Sequence, residues 1–309
     1  MFVVCGEALM DVFANGDTAT GLALDARVGG SPCNVAMGLA RLGQPVTFFG
    51  GVSRGFLGQR LLRSLRDEGI GTDTVVELDA PTTLSLVGLD AQGVPSYSFY
   101  GEHGADRQLP RSALPRAPEA ASAYQFGSYT LVVEPVAGTL RALVEREHRR
   151  SLIACDPNIR LDVAPDLGVW RDVLQWMLPR THLLKVSDED LALLHPGADA
   201  AELARQWLLH GVSLVVLTRG ARGATAWTAR HRVDAAAAPV QVIDTVGAGD
   251  TFQAALLAWL AERGAMSASA VAGLDVQAIA GGLRFANQAA GITCSRRGAD
   301  LPRRNELPR

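Results

Sequence analysis

The heptapeptide DTVGAGD, residues Asp244–Asp250, places an acid and two glycines where a helical pattern begins. Gly247 and Gly249 have no Cβ, so the backbone can turn sharply and direct several N–H groups at one point. Unpaired N–H groups at the start of a helix attract an anion such as phosphate. Asp250 would repel that anion, but it could take the proton from an attacking hydroxyl as a general base. The segment predicts phosphoryl transfer to an alcohol, with N–H groups of Gly247, Ala248 and Gly249 stabilising the charge.

The helix that follows this segment is marked by its spacing of apolar residues and by Gly264 at its predicted end. Its apolar positions after Thr251 are Phe252, Leu256, Trp259 and Leu260. A plainer interpretation is that Asp250 only caps this helix and the glycines only form a turn. Short glycine motifs are common enough that this motif alone does not decide between the two interpretations.

Composition excludes several classes of protein. The chain has 309 residues and 48% hydrophobic content, which is enough for a buried core. Its 29 basic and 32 acidic residues leave a net charge of −3, with no basic block outside the short tail, so we expect no nucleic-acid partner. The N-terminal segment lacks the features of a signal peptide, and no stretch approaches the roughly 18 apolar residues of a membrane span. We therefore expect a cytoplasmic protein without membrane contact. Four scattered cysteines without a CxxC pair predict free thiols.

Strands and helices alternate along the chain. Short apolar runs predict strands at Phe2–Cys5, Val46–Phe49, Leu152–Cys155, Leu183–Val186 and Leu214–Leu217. Helical patterns occur at Asn34–Leu42 and Phe56–Glu68. This alternation predicts an α/β fold whose mostly parallel sheet has helices on both faces, with ligands beyond the carboxyl ends of the strands. DTVGAGD lies at such an end.

Two segments interrupt the alternation. Leu84–Leu89 and Ser96–Tyr100 are β-type runs, and Asp90–Gly93 between them predicts a hairpin. A further extended piece is predicted through Asp11–Arg27. Such strands do not fit the middle of a parallel sheet, so we expect them to form a separate small sheet.

The small sheet is predicted to act as a lid, built from about residues 11–28 and 82–108, within one domain that spans residues 1–309. A lid would exclude water that could otherwise accept the phosphate. Its strands have exposed edges, so we expect two lids to pair in a homodimer.

Two longer motifs resemble the signatures of a known family. GGSPCNVAMGLARLG, Gly29–Gly43, and DTVGAGDTF, Asp244–Phe252, resemble the N-terminal and C-terminal signatures of the ribokinase-like, or PfkB, carbohydrate kinases. Both occur in the expected order and separation, and the resemblance covers essentially the whole chain. It implies a three-layer α/β/α fold with a β-sheet lid, ATP as donor, Mg²⁺, and transfer to a primary hydroxyl. DPNIR (Asp156–Arg160), KVSDED (Lys185–Asp190) and the GGSPCN form are most similar to fructokinases.

The resemblance also implies which residues bind the sugar. They are Asp11, Gly29, Gly30, Asn34, Phe99, Arg160 and Asp250. Asp11 follows the first strand, and its carboxylate could accept hydrogen bonds from two neighbouring hydroxyls; a solvated loop Asp is the alternative. Gly29 and Gly30 would let the sugar approach the backbone, whereas Asn34 would bind hydroxyls, cap its helix, or do both. Phe99 would stack on the sugar or only pack within the lid.

The nucleotide side follows from the same resemblance. The implied ATP-binding residues are Asn158, Lys185, Ser187, Thr218, Gly220, Gly223, Gly247, Gly249 and Asn287. Arg160 would bridge the sugar and the γ-phosphate through its planar set of donors, with a surface salt bridge as the alternative. LTRGARGA, Leu217–Ala224, resembles the TxGxxG nucleotide turn of the family, although such a turn alone is not specific. Asn287 matches the adenine-side helix, and a helix-surface Asn is the alternative.

Cation sites are implied at two positions. Many family members have NxxE where this chain has Ser187 and Asp190, both oxygen ligands that suit Mg²⁺ or its hydration shell. Asp244 is implied to help hold a monovalent cation such as K⁺.

The sequence as a whole predicts a kinase that converts fructose to fructose 6-phosphate with Asp250 as general base. A kinase for 2-keto-3-deoxygluconate, another sugar or a nucleoside is the nearest alternative. A sugar acid would need an additional cation, for which His103 and Arg107 are candidates whose direction the sequence does not show. A Rossmann dehydrogenase is disfavoured because no GxGxxG follows the first strand, and intact Asp250 disfavours a sugar sensor without catalysis.

Overall fold

The computed structural model of the chain describes residues 1–89, 95–119 and 121–308. Its strands are β1 (Phe2–Cys5), β2 (Leu9–Asp17), β3 (Leu22–Gly29), β4 (Val46–Phe49), β5 (Gly51–Ser53), β6 (Val76–Leu78), β7 (Leu84–Leu89), β8 (Pro95–Tyr100), β9 (Ala123–Gly127), β10 (Leu152–Asp156), β11 (Leu183–Ser187), β12 (Leu214–Thr218), β13 (Ala224–Trp227) and β14 (Arg232–Ala235). Its α-helices are α1 (Ser31–Arg41), α2 (Phe56–Asp67), α3 (Val136–Glu147), α4 (Leu167–Met177), α5 (Asp188–Leu194), α6 (Ala200–Leu209), α7 (Ala248–Glu262), α8 (Ala268–Ala272) and α9 (Val276–Cys294).

The central sheet has eight strands in the order β14-β13-β12-β11-β10-β9-β1-β4. The six strands from β12 to β4 are parallel to their neighbours, and β13 and β14 add an antiparallel edge. All five predicted strands belong to this sheet, in their predicted places or within one residue of them. The predicted α/β fold with a mainly parallel sheet is confirmed.

Helices cover both faces of the central sheet. Strand β1 shows why, because its four residues are fully buried and alternate between two cores. Phe2 and Val4 belong to the core that also contains side chains of α1, α7 and α9. Val3 and Cys5 belong to the opposite core, with side chains of α3, α4 and α6. A strand that is buried on both faces reads as a continuous apolar run, which is the pattern in the sequence.

A second sheet of four strands, in the order β3-β2-β7-β8, is separate from the central sheet. The predicted hairpin is present, with β7 antiparallel to β8, although its connection Asp90–Gly93 lies outside the described residues. The extended piece predicted at Asp11–Arg27 is two antiparallel strands, β2 and β3, joined by a turn in which the Thr18 N–H donates to the Gly21 carbonyl. Strands β5 and β6 form a further parallel pair.

Helix α7 begins earlier than its apolar spacing predicts. Its N-cap is Gly247, with a φ of 77°, and its last residue is Glu262. Gly264 adopts a φ of 68° just beyond the helix, and its N–H donates to the Ala261 carbonyl, as expected for a glycine that ends a helix. The left-handed conformation at Gly247 makes the turn that directs the start of α7 toward the strand ends.

The part of the chain that the structure describes was compared with the predictions for membrane spans and cysteines. None of its helices combines the length and the apolar character needed to cross a membrane. All four cysteines are free, and three of them are buried, as the sequence predicts.

Candidate active site

A cavity of about 540 Å³ opens where the carboxyl ends of β1, β10, β11 and β12 meet the start of α7. The small sheet forms part of its wall through Leu9, Asp11, Ser85 and Phe99. The cavity brings together most of the predicted site residues, namely Asp11, Gly30, Asn34, Phe99, Asn158, Arg160, Lys185, Ser187, Asp190, Thr218, Gly220, Gly247, Gly249 and Asp250. Gly29, Ala248, Gly223, Asn287 and Asp244 are not part of its lining.

Asp250 is held from both sides by the first turn of α1. The hydroxyl of Ser31 donates to Asp250 Oδ1 at 2.6 Å, and the amide Nδ2 of Asn34 donates to Oδ2 at 2.8 Å. The side chain is only 8% exposed, yet it lines the cavity. Gly247 is the N-cap of α7, so the interpretation of Asp250 as a helix cap is wrong. The capping role considered for Asn34 is also wrong, because Gly30 is the N-cap of α1.

The two glycines at the junction between β3 and α1 leave room for the carboxyl group of Asp11 and for the backbone of Glu7. A Cβ on Gly29 would lie 2.0 Å from Asp11 Oδ2, and one on Gly30 would lie 2.9 Å from the carbonyl oxygen of Glu7. Gly29 therefore makes room for Asp11 and does not itself reach the cavity. Burial raises the pKa of Asp11 to about 6, while the hydroxyl of Ser85 opposes this rise and the charge of Asp250 adds to it.

The glycine turn before α7 contributes only part of the predicted anion site. Gly247 and Gly249 line the cavity. The Ala248 N–H instead donates to the carbonyl of Thr245 at 3.2 Å, and Ala248 does not line the cavity. The predicted contribution of Ala248 is therefore corrected, because the tight turn uses its N–H internally. Gly247 is confined by its neighbours, since a Cβ there would lie 2.6 Å from the Cβ of Ala299.

A buried ion pair brings positive charge next to this turn. Lys185 Nζ lies 2.7 Å from Asp156 Oδ2, and both side chains are almost fully buried. A Cβ on Gly249 would lie 3.1 Å from the same Nζ, so the absence of a side chain there lets the ammonium group approach the start of α7. Burial lowers the pKa of Lys185, but the combined attraction of Asp156, Asp190 and other carboxylates outweighs it, and the pKa is raised.

The predicted magnesium-shell residues form one hydrogen-bonded corner of the cavity. Ser187 is the N-cap of α5, where its hydroxyl accepts from the Asp190 N–H at 3.0 Å. Asp190 Oδ1 accepts from the Ile159 N–H at 3.0 Å, so the carboxylate links α5 to the loop after β10. Asn158 in that loop has a φ of 43° and a buried Nδ2 without a partner among the described residues. An amide donor held in this way suits a phosphate oxygen.

Two residues predicted to bind ATP lie elsewhere. Gly223 adopts a φ of 79°, and a Cβ there would lie 2.1 Å from the carbonyl oxygen of Ala235. Asn287 is buried, and its Nδ2 donates to the carbonyl of Ala236 at 2.9 Å. Both residues hold the chain after β14 instead of lining the cavity. The alternative of Asn287 as a surface residue of its helix is wrong, since this residue is only 8% exposed.

Arg160 and Phe99 both line the cavity. The Nη1 of Arg160 donates to the carbonyl of Ile159 at 2.9 Å, and no described carboxylate lies within 4.0 Å of the guanidinium, which disfavours the salt-bridge alternative. The ring of Phe99 meets that of Tyr129 edge to face, with centroids 6.5 Å apart. Phe99 thus packs within the protein and borders the cavity at the same time.

Asp244 connects two loops. Its Oδ1 accepts from the Val246 N–H at 3.1 Å, and its Oδ2 accepts from the Gly298 N–H at 2.8 Å. The carboxylate thereby fixes the turn before α7. Among the described residues, no three His, Cys, Asp or Glu side chains are arranged to hold a metal ion.

Sequence reasoning missed several residues of the cavity wall. Glu7, Ser31, Tyr129 and Thr245 all line it. Ser31 could have been found, because it lies within the GGSPCN segment between the glycines and Asn34. Glu7 carried a weaker signal, a lone acid directly after a buried strand.

Comparisons with known proteins identify the family of the chain. Residues 1–306 match the pfkB family carbohydrate kinase. A fructokinase from Rhizobium leguminosarum bv. trifolii is 35% identical over 306 residues, which cover 99% of this chain and 92% of that protein. The crystal structure of a fructokinase with bound ATP from Xylella fastidiosa superposes with a TM-score of 0.86 at 26% identity, covering 96% of this chain and 93% of that one.

A third similar structure is the fructokinase of Vibrio cholerae O395 in its fructose-, ADP- and calcium-bound form. It has a TM-score of 0.81 at 25% identity and covers 96% of this chain and 94% of that one. The family match spans almost the whole chain, and the cavity holds most of the residues that the family motifs predict. The chain is a member of the pfkB family of carbohydrate kinases.

Proposed function

We propose that this kinase transfers the γ-phosphate of ATP to the terminal hydroxyl of fructose, giving fructose 6-phosphate, with Asp250 as general base. The single observation that carries this proposal is the geometry of Asp250. Its carboxylate lines the cavity at the start of α7, and Ser31 and Asn34 hold both oxygens. The fructokinases from R. leguminosarum and V. cholerae support fructose as the acceptor.

The acceptor would bind between the central sheet and the small sheet. Asp11 would accept hydrogen bonds from sugar hydroxyls, and Phe99 would cover an apolar face of the sugar. The hydroxyl that reacts must then lie next to Asp250, which removes its proton as the oxygen attacks phosphorus. The proposed lid role of the small sheet, within one domain spanning residues 1–309, follows from this arrangement.

The donor would bind along the start of α7, and the similar X. fastidiosa fructokinase, whose structure contains bound ATP, supports ATP as the donor. Backbone N–H groups of Gly247 and Gly249 and the ammonium of Lys185 would face the migrating phosphoryl group. Arg160 would contact it from the sugar side. Thr218 and Gly220 would border the remainder of the nucleotide.

A divalent cation fits the donor side of the cavity. Asp188, Glu189 and Asp190 line it, and they offer the oxygen ligands that Mg²⁺ prefers, directly or through water. Mg²⁺ bound to the nucleotide phosphates would neutralise part of their charge. Asp244 would help to hold K⁺ beside the turn before α7, because each of its oxygens accepts only one backbone N–H and keeps a further lone pair for a cation.

We also propose that two copies of the chain pair through their small sheets. Strand β3 is an edge strand, and Leu22 and Leu24 on it are 53% and 54% exposed. Edge strands with exposed apolar side chains favour association.

The variant Asp250→Asn tests the proposed mechanism. An amide in this position can still accept from Asn34 and donate to Ser31, but it cannot take up a proton. We expect kcat to fall by about 10²-fold or more, with little change in the KM for fructose. The measurement is ADP production with fructose, ribose, adenosine and 2-keto-3-deoxygluconate as acceptors.

Glu262→Gln is the control, because it removes an acid from the far end of the same helix, where Glu262 pairs with Arg304. We expect it to change kcat by less than about threefold, as for a surface ion pair. An Asp250→Asn enzyme that keeps its kcat would show that Asp250 is not the base.

A further inference from the structure

Asp106 is a buried acid that lies outside the cavity wall. It belongs to a short 3₁₀ turn, Ala105–Arg107, which is the next element of the chain after β8. Asp106 is only 1% exposed, and it is not among the residues that line the cavity. A carboxyl group buried in this way is costly unless hydrogen bonds satisfy it. The partners of Asp106 therefore indicate its role.

Two hydroxyl groups from different parts of the fold donate to the Asp106 carboxylate. Thr83 Oγ1 donates to Oδ1 at 2.5 Å, and the hydroxyl of Tyr129 donates to Oδ2 at 2.8 Å. Thr83 directly precedes β7 and Tyr129 follows β9, so the carboxylate bridges the small sheet and the central sheet. Burial raises the pKa of Asp106, and both hydroxyls oppose this rise because they bind the charged form.

Both partners of Asp106 are connected to the cavity wall. On the small sheet, Ser85 lies two residues after Thr83 on β7 and pairs with Phe99 on β8. On the central sheet, the ring of Tyr129 meets the ring of Phe99 edge to face. Ser85, Phe99 and Tyr129 all line the cavity. Asp106 therefore closes a ring of contacts around this part of the wall without bordering the cavity itself.

The packing around this bridge is tight. A Cβ on Gly101 would lie 2.2 Å from Thr83 Oγ1. A Cβ on Gly104 would lie 2.1 Å from the same oxygen and 2.6 Å from Asp106 Oδ1. The two glycines let the chain that leaves β8 approach Thr83 closely. The chain that enters β7 and the chain that leaves β8 are thereby held together at Asp106.

Arg107 and His103, the cations considered for a sugar acid, do not line the cavity. Arg107 is buried, with its guanidinium over the ring of Tyr129 at 5.3 Å and its Nε 4.0 Å from Asp106 Oδ2. This Nε has no hydrogen-bond partner among the described residues. His103 is exposed. Arg107 therefore contacts the same ring that Asp106 holds through its hydroxyl.

We propose that Asp106 is a positioning residue for the acceptor: by bridging Thr83 and Tyr129, it fixes the wall against which the sugar binds. The inference rests on the proposed function, because it takes the part of the cavity lined by Phe99 and Tyr129 as the acceptor's. The bridge and not the charge is what this role requires, since Asp106 does not border the cavity. A wall that loses this support binds the sugar less well, whereas the residues on the donor side stay in place.

The variant Asp106→Ala removes both hydrogen bonds. We expect the KM for fructose to rise by about tenfold or more, as for a lost hydrogen bond to a charged group, and the KM for ATP to change by less than about twofold. Asp106→Asn should keep the KM for fructose within about threefold of the wild-type value, because its amide can accept from one hydroxyl and donate to the other. Steady-state kinetics with each substrate varied in turn measure both constants.

Asp199→Ala is the matched control for a loss of stability alone. Asp199 caps α6 by accepting from the Glu202 N–H at 2.8 Å, and it does not line the cavity. We expect urea unfolding to show a less stable protein whose two KM values are unchanged.

Thr83→Val is the second test, and it applies also where Asp106→Ala does not fold. Valine has a shape similar to that of threonine, so the substitution removes only the hydroxyl that donates to Asp106. Thr83 does not line the cavity, so an effect on sugar binding has to act through the bridge. We expect the KM for fructose to rise by about threefold or more at an unchanged KM for ATP.

The outcomes separate this inference from the proposed function. A folded Asp106→Ala or Thr83→Val enzyme with the wild-type KM for fructose contradicts the role of Asp106 and leaves the kinase chemistry intact. Equal rises in the KM for fructose and for ATP contradict it as well, and so does an Asp106→Asn enzyme as impaired as Asp106→Ala. A wild-type enzyme that produces no ADP with any acceptor contradicts the proposed function and this inference with it.

Discussion

At the scale of single residues, the site depends on contacts between side chains and the backbone of glycines. Asp11 occupies the volume that a side chain at position 29 would need, and the backbone carbonyl of Glu7 occupies that next to Gly30. Gly29 thus allows the Asp11 carboxylate to reach the cavity without displacing α1. Removing this room should affect sugar binding before it affects stability.

Gly29→Ala tests this dependence on space. The new Cβ would lie 2.0 Å from Asp11 Oδ2, so the carboxylate has to move. We expect the KM for fructose to rise by about tenfold or more, the scale of about one lost charge-assisted hydrogen bond. Steady-state kinetics with varied fructose measure it. Gly21→Ala in the turn between β2 and β3 is the control, because its Cβ would meet only Thr18 Oγ1 at 3.9 Å. Equal KM values for both variants would contradict the role of Gly29.

At the scale of elements, β10 and β11 end in an ion pair that couples the sheet to α7. Asp156 is the last residue of β10, and Lys185 lies within β11. Lys185 is the only lysine of the chain, whose other 28 basic residues are arginines. A compact ammonium fits between Asp156 and the backbone at Gly249, where a planar guanidinium would be too large.

We therefore expect Lys185→Met to lower the unfolding free energy of the protein as well as its kcat. Removing one partner of a buried pair leaves an uncompensated carboxylate, which costs about 3 kcal/mol or more of unfolding free energy. Urea unfolding measures this loss. The double variant Lys185→Met with Asp156→Asn should recover part of the stability without recovering kcat. If the double variant also regains full kcat, the ammonium has no part in phosphoryl transfer.

For the whole molecule, the cavity lies between two sheets that the chain builds from interleaved segments. Strand β1 of the central sheet is followed by β2 and β3 of the small sheet, and the chain then returns to the central sheet at β4. The small sheet leaves edge strands β3 and β8 exposed, with Leu22, Leu24 and Tyr100 at the surface.

The proposed pairing of two small sheets predicts a dimer in solution. Leu24→Glu should convert it to monomers, because an interface that buries this position would have to desolvate a charge. Light scattering coupled to size exclusion measures the mass. Val169→Glu on α4, where the native side chain is 40% exposed, is the control and should not change it. A wild-type protein that is monomeric at all concentrations would contradict the pairing.

Features of short range were predictable from the sequence. Strand β1 was predicted at its observed residues, because a strand buried on both faces needs only a continuous apolar run. Helix α2 was predicted to within one residue, since Gly69 marks its end. The starts of α1 and α7 were predicted three residues too late, because glycines and small residues in those first turns hide the helical spacing.

Assignments that depend on contacts between residues distant in the sequence were less accurate. Gly223 and Asn287 match family motifs, but both hold the chain after β14 and do not line the cavity. The Ala248 N–H donates to the Thr245 carbonyl within the turn before α7, and no residue type in the sequence predicts this hydrogen bond. Glu7 went unnoticed because its place in the cavity wall depends on residues that are distant in the sequence.

The sequence by itself determined the α/β architecture, the glycine turn before α7 and the identity of the acid at position 250, because periodicity and backbone freedom are local properties of the chain. Only the tertiary structure decided what that acid contacts. Ser31, 219 positions away in the chain, and Asn34 hold its carboxylate, since packing of α1 on α7 brings them together. Folding likewise brings Glu7, Asp11 and Asp250, which are distant in the sequence, to the wall of one cavity.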